Sequence, residues 1–210
     1  MRKRKDLIIF ILFLVVTTSI IYPQDYMDRE VKFILDCWRY NFGWDTFGGG
    51  YIRYVLLFTE QEVVEIKTTQ VSHTPGYSSG GYVSGAEKSL GEITLNIVLG
   101  AFIEELLKKI HNPQKETEQQ LKEIIEQASA HPTVKNYFEL ISYILSQNKI
   151  GTKLSSIMKY NEMNYIKTKI RKEELIFSFK YKKRKYKYIA KFEDVLNCSK
   201  SKEILDELIK

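Results

Sequence analysis

The chain is poor in the residues that build metal and nucleophile sites. Its three histidines, His73, His111 and His131, fall in no HExxH or HxxxH spacing, and its two cysteines form no CxxC. No GxSxG is present. The glycines at 48–50 lack the Lys-Ser/Thr of a phosphate-binding loop. These absences leave no readable metal site and call for no cofactor. Paired acids occur at Glu104-Glu105 and Glu173-Glu174, but on a helix surface and in a turn, where solvation accounts for them.

Long apolar runs are nearly absent as well. The stretch Leu7–Gln24 is 18 residues without a charge, and its second half turns polar. A spanning helix wants roughly 20 apolar residues, so this one is marginal. Arg2, Lys3, Arg4 and Lys5 precede it, and Thr17, Thr18 and Ser19 follow its apolar core. That order reads as residues 1–24 serving as a signal peptide or an uncleaved N-terminal membrane anchor. Either way the basic residues stay inside and residues 25–210 are expected as a single exported domain, secreted, periplasmic or tethered.

The remaining composition is that of a packed globule, with 44% hydrophobic and 13% aromatic residues. The net charge of +6 resembles that of a nucleic-acid binder until it is located. Residues 1–19 carry +3 of it, and Lys159–Lys191 hold twelve Lys or Arg against three Glu. The body is therefore near neutral with one basic region, and export argues against a nucleic-acid partner. Export also makes Cys37 and Cys198 an expected disulfide, tying the first element to the last.

Local patterns predict the elements. Asp25–Tyr40 places Met27, Val31, Ile34, Leu35 and Trp38 at helical spacing. YIRYVLLF and EVVEIKTTQV around a short polar turn predict a hairpin. A Gly/Ser-rich loop follows over residues 73–91, with Ser89 and Glu92 as a capping box for a helix to His111. Asn112-Pro113 and His131-Pro132-Thr133 then open helices to about Ala130 and from Val134 to Gln147. Lys153–Tyr160 is ambiguous. MNYIKTKI, ELIFSFKY and KYKYIAKF predict a three-stranded meander, and a last helix is expected from about Ser201. The expected fold is α+β: an antiparallel sheet of about five strands, a hairpin plus the meander, with helices over its apolar face.

The meander carries the site expectation. Placing its turns at Lys172-Glu173 and Lys183-Arg184 puts Phe177, Phe179, Tyr181, Tyr186, Tyr188 and Phe192 on one face. The other face then collects Tyr165, Lys167, Lys169, Lys180, Lys185, Lys187 and Lys191. This points to a non-enzymatic binding module whose partner is an anionic envelope polymer, lipid headgroups or an acidic protein. The alternative is a small hydrolase using Cys37 as nucleophile and His73 as base.

Overall fold

The structure is a computed structural model that describes residues 24–42, 49–75, 115–192 and 195–210. Its helices are α1 (Gln24–Met27), α2 (Lys115–Ala130), α3 (Val134–Gln147) and α4 (Val195–Leu208). Its strands are β1 (Phe33–Asn41), β2 (Gly50–Phe58), β3 (Glu62–Ser72), β4 (Thr152–Lys159), β5 (Met163–Arg171), β6 (Glu174–Tyr181) and β7 (Arg184–Lys191). A 3-10 turn, Tyr160–Glu162, lies between β4 and β5. The N-terminal leader, the Gly/Ser loop beyond Pro75 and the helix expected over residues 91–111 lie outside the described residues.

Seven strands, not about five, form one antiparallel sheet in the order β4-β3-β2-β1-β7-β6-β5. The first additional strand is β1, where a helix was expected. Phe33 through Trp38 are all buried, so both faces of this strand are covered. A strand buried on both sides loses its period of two, and its apolar residues, interrupted only by Asp36, then satisfy a helical template by accident. The second is β4, half-buried and exposed by turns from Thr152 to Ser156 and with Met158 fully buried, as it pairs with β3 at the sheet's edge. A smaller correction concerns α4. It starts at Val195 rather than near Ser201, with Cys198, Ser201 and Leu205 buried along its length.

The sheet is curled. Phe58 on β2 and Phe177 on β6 lie three strands apart, about 14 Å in a flat sheet. Their ring centroids are 5.6 Å apart. Tyr181 on β6 donates to the carbonyl of Ile157 on β4 at 3.3 Å, although five strand spacings, about 24 Å, separate those strands when flat. The two edge strands, β4 and β5, are consecutive in sequence and joined only by Tyr160–Glu162. Tyr160 anchors this link, with its hydroxyl on the Thr59 carbonyl at 2.8 Å and its amide on that of Gln61 at 3.0 Å.

Curling divides the core in two. On the convex face Ile34, Val55, Leu57, Val64 and Ile66 meet α1, α2 and α3 through Tyr26, Leu121, Tyr137, Leu140 and Ile144. On the concave face Leu35, Ile52, Leu56 and Phe58 meet Leu175, Phe177, Phe179 and Tyr188 of the meander, with α4 adding Leu205. Helices thus cover both faces rather than one. α3 starts as its sequence requires: the Thr133 hydroxyl accepts from the Asn136 amide at 3.3 Å.

The meander keeps its expected faces but not its expected pairing at one turn. Phe179 opposes Tyr186, and Phe177 opposes Tyr188. The turn is therefore Lys182-Lys183, two residues from the expected pairing across Lys183-Arg184. A slip of two residues preserves which side chains face inward. Lys182 and Lys183 both have positive φ, 47° and 64°, as the tight type I′ turn requires.

The cysteines are not bonded. Cys37 and Cys198 form no disulfide, and both are buried in the concave core. The Cys37 Sγ donates to the Tyr54 carbonyl at 3.6 Å. Each thiol packs as a small apolar side chain, which removes the expected bridge between first and last elements.

Three outcomes follow for this fold. Tyr188→Ala lowers stability by roughly 3–5 kcal/mol in urea denaturation, as buried aromatic truncations do, whereas Lys187→Ala changes it by less than about 0.5 kcal/mol. Equal effects would mean a different register. Thiol titration finds no reactive cysteine in the native chain and both cysteines after denaturation without reductant. Replacing Lys182-Lys183 with Asn-Gly raises stability by about 1 kcal/mol, because Asn and Gly adopt positive φ with less strain than Lys.

Candidate anion-binding surface and cleft

Period-two alternation across three strands assembles the outer face of the meander in rows. Lys167, Ser178 and Lys187 form one row, and Lys169, Ile176 and Ile189 the next. Lys180 stands directly opposite Lys185. Arg171, Glu174 and Lys191 close the far end, where Lys191 lies 3.8 Å from Glu174. Lys167, Lys169, Lys185 and Lys187 are exposed, and Lys180 and Lys191 are half-buried. A like-charge pair such as Lys180–Lys185 destabilises a sheet slightly unless counter-charge is supplied. Tyr165 leaves the alternation: a bulge between Asn164 and Lys167 gives it a φ of 56°, and it stands 77% exposed. The structure thus brings all six expected lysines onto one face, with Tyr165 projecting beside them.

Behind this face sits a polar cluster that the sequence reading missed. β1 meets β7 at a single registered pair, Trp38 opposite Ile189. One residue further along β1, Arg39 turns inward. Its Nη1 donates to Glu65 Oε2 at 2.6 Å and to the Tyr188 hydroxyl at 3.0 Å, while Nη2 donates to the Tyr54 hydroxyl at 2.8 Å. The Tyr188 hydroxyl itself donates to Glu65. Side chains from β1, β2, β3 and β7 therefore converge on one point. Burial opposes the Arg39 charge, yet Tyr188, Glu65 and Tyr54 outweigh it and shift the guanidinium upward. Burial pushes the Tyr54 hydroxyl up to about 12, against the pull of Arg39. Burial, and then Glu65, hold Tyr188 well above its ordinary value, so it remains a neutral donor. The signal in the sequence was a charged residue inside a buried run, in FILDCWRYN. A second instance is Asp36, whose two carboxylate oxygens share the Arg53 Nε–H at 2.9 and 3.1 Å while Arg53 Nη2 also donates to Oδ2. Arg53 continues to Gln70 at 3.0 Å.

Past the Trp38–Ile189 pair a cleft of about 330 Å³ lies between the end of β1 and the start of β7. Arg39, Tyr40 and Asn41 form one wall, Tyr51 the floor from β2, and Arg184–Lys187 with Ile189 the other wall. Tyr40 and Tyr51 pack edge-to-face at 5.4 Å. Gly49, with φ 152°, lies against Tyr40, and a Cβ there would come within 2.5 Å of its hydroxyl. Only glycine leaves the ring in place.

The hydrolase pair is not brought together. Cys37 is fully buried in mid-strand, and burial, then Asp36 and Glu65, push its thiol well above the ordinary range. His73 is exposed just past the end of β3. The registers place it two strands over and about four residues along, roughly 16 Å from Cys37 at standard strand spacings. Among the described residues no group of His, Cys, Asp and Glu is placed to hold a metal ion. No helix among them is long and apolar enough to cross a membrane. No family model, curated protein or solved structure matches the chain, so its function is argued from this geometry alone.

Proposed function

We propose that the chain is an exported or membrane-tethered binding module that docks on an anionic lipid surface through the outer face of β5–β7. The observation that carries the proposal is the gathering of Lys167, Lys169, Lys180, Lys185 and Lys187 on one face, with Lys180 and Lys185 directly opposite one another. Each lysine brought near an anionic bilayer contributes about 1 kcal/mol, and several acting together suffice for reversible docking. Ile176 and Ile189 lie half-buried at the centre of the face, and Tyr165 stands out from its edge. An amphipathic ring beside cationic stems suits the headgroup layer. The face is a sheet surface rather than a groove, which fits a planar partner better than an extended polymer. The leader read over residues 1–24 would hold the body beside a membrane if it stays uncleaved.

Cosedimentation tests this directly. Residues 24–210, which contain every described element, should bind vesicles of about one-third anionic lipid at low salt and release them as salt shortens the Debye length to about 3 Å near 1 M. Changing Lys167, Lys169 and Lys180 together to Gln should weaken binding at least tenfold without lowering the thermal transition. Equal binding to neutral vesicles would overturn the proposal. Binding to soluble polyglutamate in preference to vesicles would replace it with an acidic-polymer or acidic-protein partner.

A further inference from the structure

We infer that the cleft between β1 and β7, which shares Lys185 and Lys187 with the docking face, is a site for an acidic saccharide, a sugar ring bearing a carboxylate or phosphate. Its volume of about 330 Å³ falls at the small end of ligand pockets, which run from about 300 to 1,000 Å³, and suits a single substituted ring. Arg39, Arg184, Lys185 and Lys187 line it, and no Asp or Glu does among the described residues. Arg39 is held by its bonds to Glu65, Tyr54 and Tyr188, so its guanidinium is fixed before any ligand arrives. Glu65 balances that one charge from behind. The charge of the opposite wall is left for a ligand oxyanion.

The aromatic lining sets the class. Tyr40, 56% exposed, lines the cleft with Tyr51 and Tyr186, and the Tyr186 ring is stacked on Phe179 with the Arg39 guanidinium 5.2 Å from its centroid. Exposed rings next to cations suit a ligand with an apolar flat side and an anionic substituent. A sugar's C–H face and its acid group supply both. A bare phosphate would leave the rings idle. A nucleotide's ribose diol is typically met by an acidic side chain, and the cleft has none. The inference does not depend on the membrane-docking proposal, because the docking face is tested at Lys167, Lys169 and Lys180, none of which lines the cleft.

The test is calorimetric titration of the full chain in low salt. Glucuronate and glucose 6-phosphate should each bind at least tenfold tighter than glucose, and glucose 6-phosphate tighter than inorganic phosphate. Arg184→Gln and Tyr40→Ala should each lower affinity at least fivefold with an unchanged thermal transition. The triple Gln variant of the docking face should bind both sugars as the parent does. Binding of oligoglucuronate would identify a polymer source for the ligand, and binding of inositol-phosphate headgroups on vesicles a lipid source. Either outcome supports the site, provided Arg184→Gln reduces it. Inorganic phosphate binding as tightly as glucose 6-phosphate would reduce the cleft to a charge patch and overturn the inference. So would tighter binding of AMP than of either sugar, no measurable binding, or full affinity in both cleft variants.

Discussion

The three-residue link Tyr160–Glu162 joins strands that stand at opposite edges of the same sheet. A link that short cannot cross a flat seven-stranded sheet, whose edges would be about 29 Å apart at standard spacing. The sheet must therefore curl until β4 and β5 approach at that end. Everything on the concave side depends on this. Curling brings Phe58 to Phe177, Tyr54 to Tyr188 and Tyr181 to the β4 backbone. It also leaves the meander's other face on the convex side, where its lysines meet solvent. One constraint thus creates a dry interior for aromatic side chains and a wet exterior for basic ones, from strands whose residues simply alternate.

The Arg39–Glu65–Tyr188 cluster fixes how the two halves of the sheet meet. A buried carboxylate and guanidinium are costly to desolvate, and such a pair is weak evidence of stabilisation in itself. Its contribution here is positional. Arg39 comes from β1, Glu65 from β3 and Tyr188 from β7, and β1 and β7 share only one registered pair. A one-residue slip of β7 would turn Tyr188 outward and bring Lys187 against Arg39. The cluster penalises that slip far more than the short ladder does. The same fixed guanidinium forms one wall of the cleft, so the seam and the proposed ligand site are held by one set of bonds.

How much of this was legible depended on whether a residue's environment is set locally. The meander's faces were readable because Phe177, Phe179 and Tyr188 alternate strictly with Ser178, Lys180 and Lys187, and an error of two residues at Lys182-Lys183 leaves faces unchanged. β2 and β3 were readable from their β-branched runs around Thr59–Gln61. β1 was not, because burial on both faces erases alternation, and Val31, Ile34, Leu35 and Trp38 then mimic a helix. The sheet's curl, the cleft and the meeting of Arg39 with Glu65 depend on contacts across 26 to 149 residues of sequence. No local pattern encodes those. The expected disulfide failed for the same reason. An oxidising compartment was inferred from the leader, while the side chains' separate places in the core are decided by tertiary packing.

Charge is distributed to match this division. Residues 159–191 hold a net +9, while the molecule as a whole is +6. The basic residues are therefore concentrated on the half that contributes its outer face to solvent. Their mutual repulsion works against the meander, yet the hairpins tolerate it because the inward row of Leu175, Phe177, Phe179, Tyr188 and Ala190 is almost completely buried. Burying one such aromatic or leucine side chain contributes about 1.5–3 kcal/mol, several times what one exposed like-charge pair costs. A sequence under no demand but folding would gain by exchanging Lys180 or Lys185 for Thr or Glu, which would keep the inward row and relieve the repulsion. Lys180 and Lys185 instead stand opposite one another beside a cleft lined with Arg184 and Lys187, and an anionic partner of the kind proposed would relieve their repulsion.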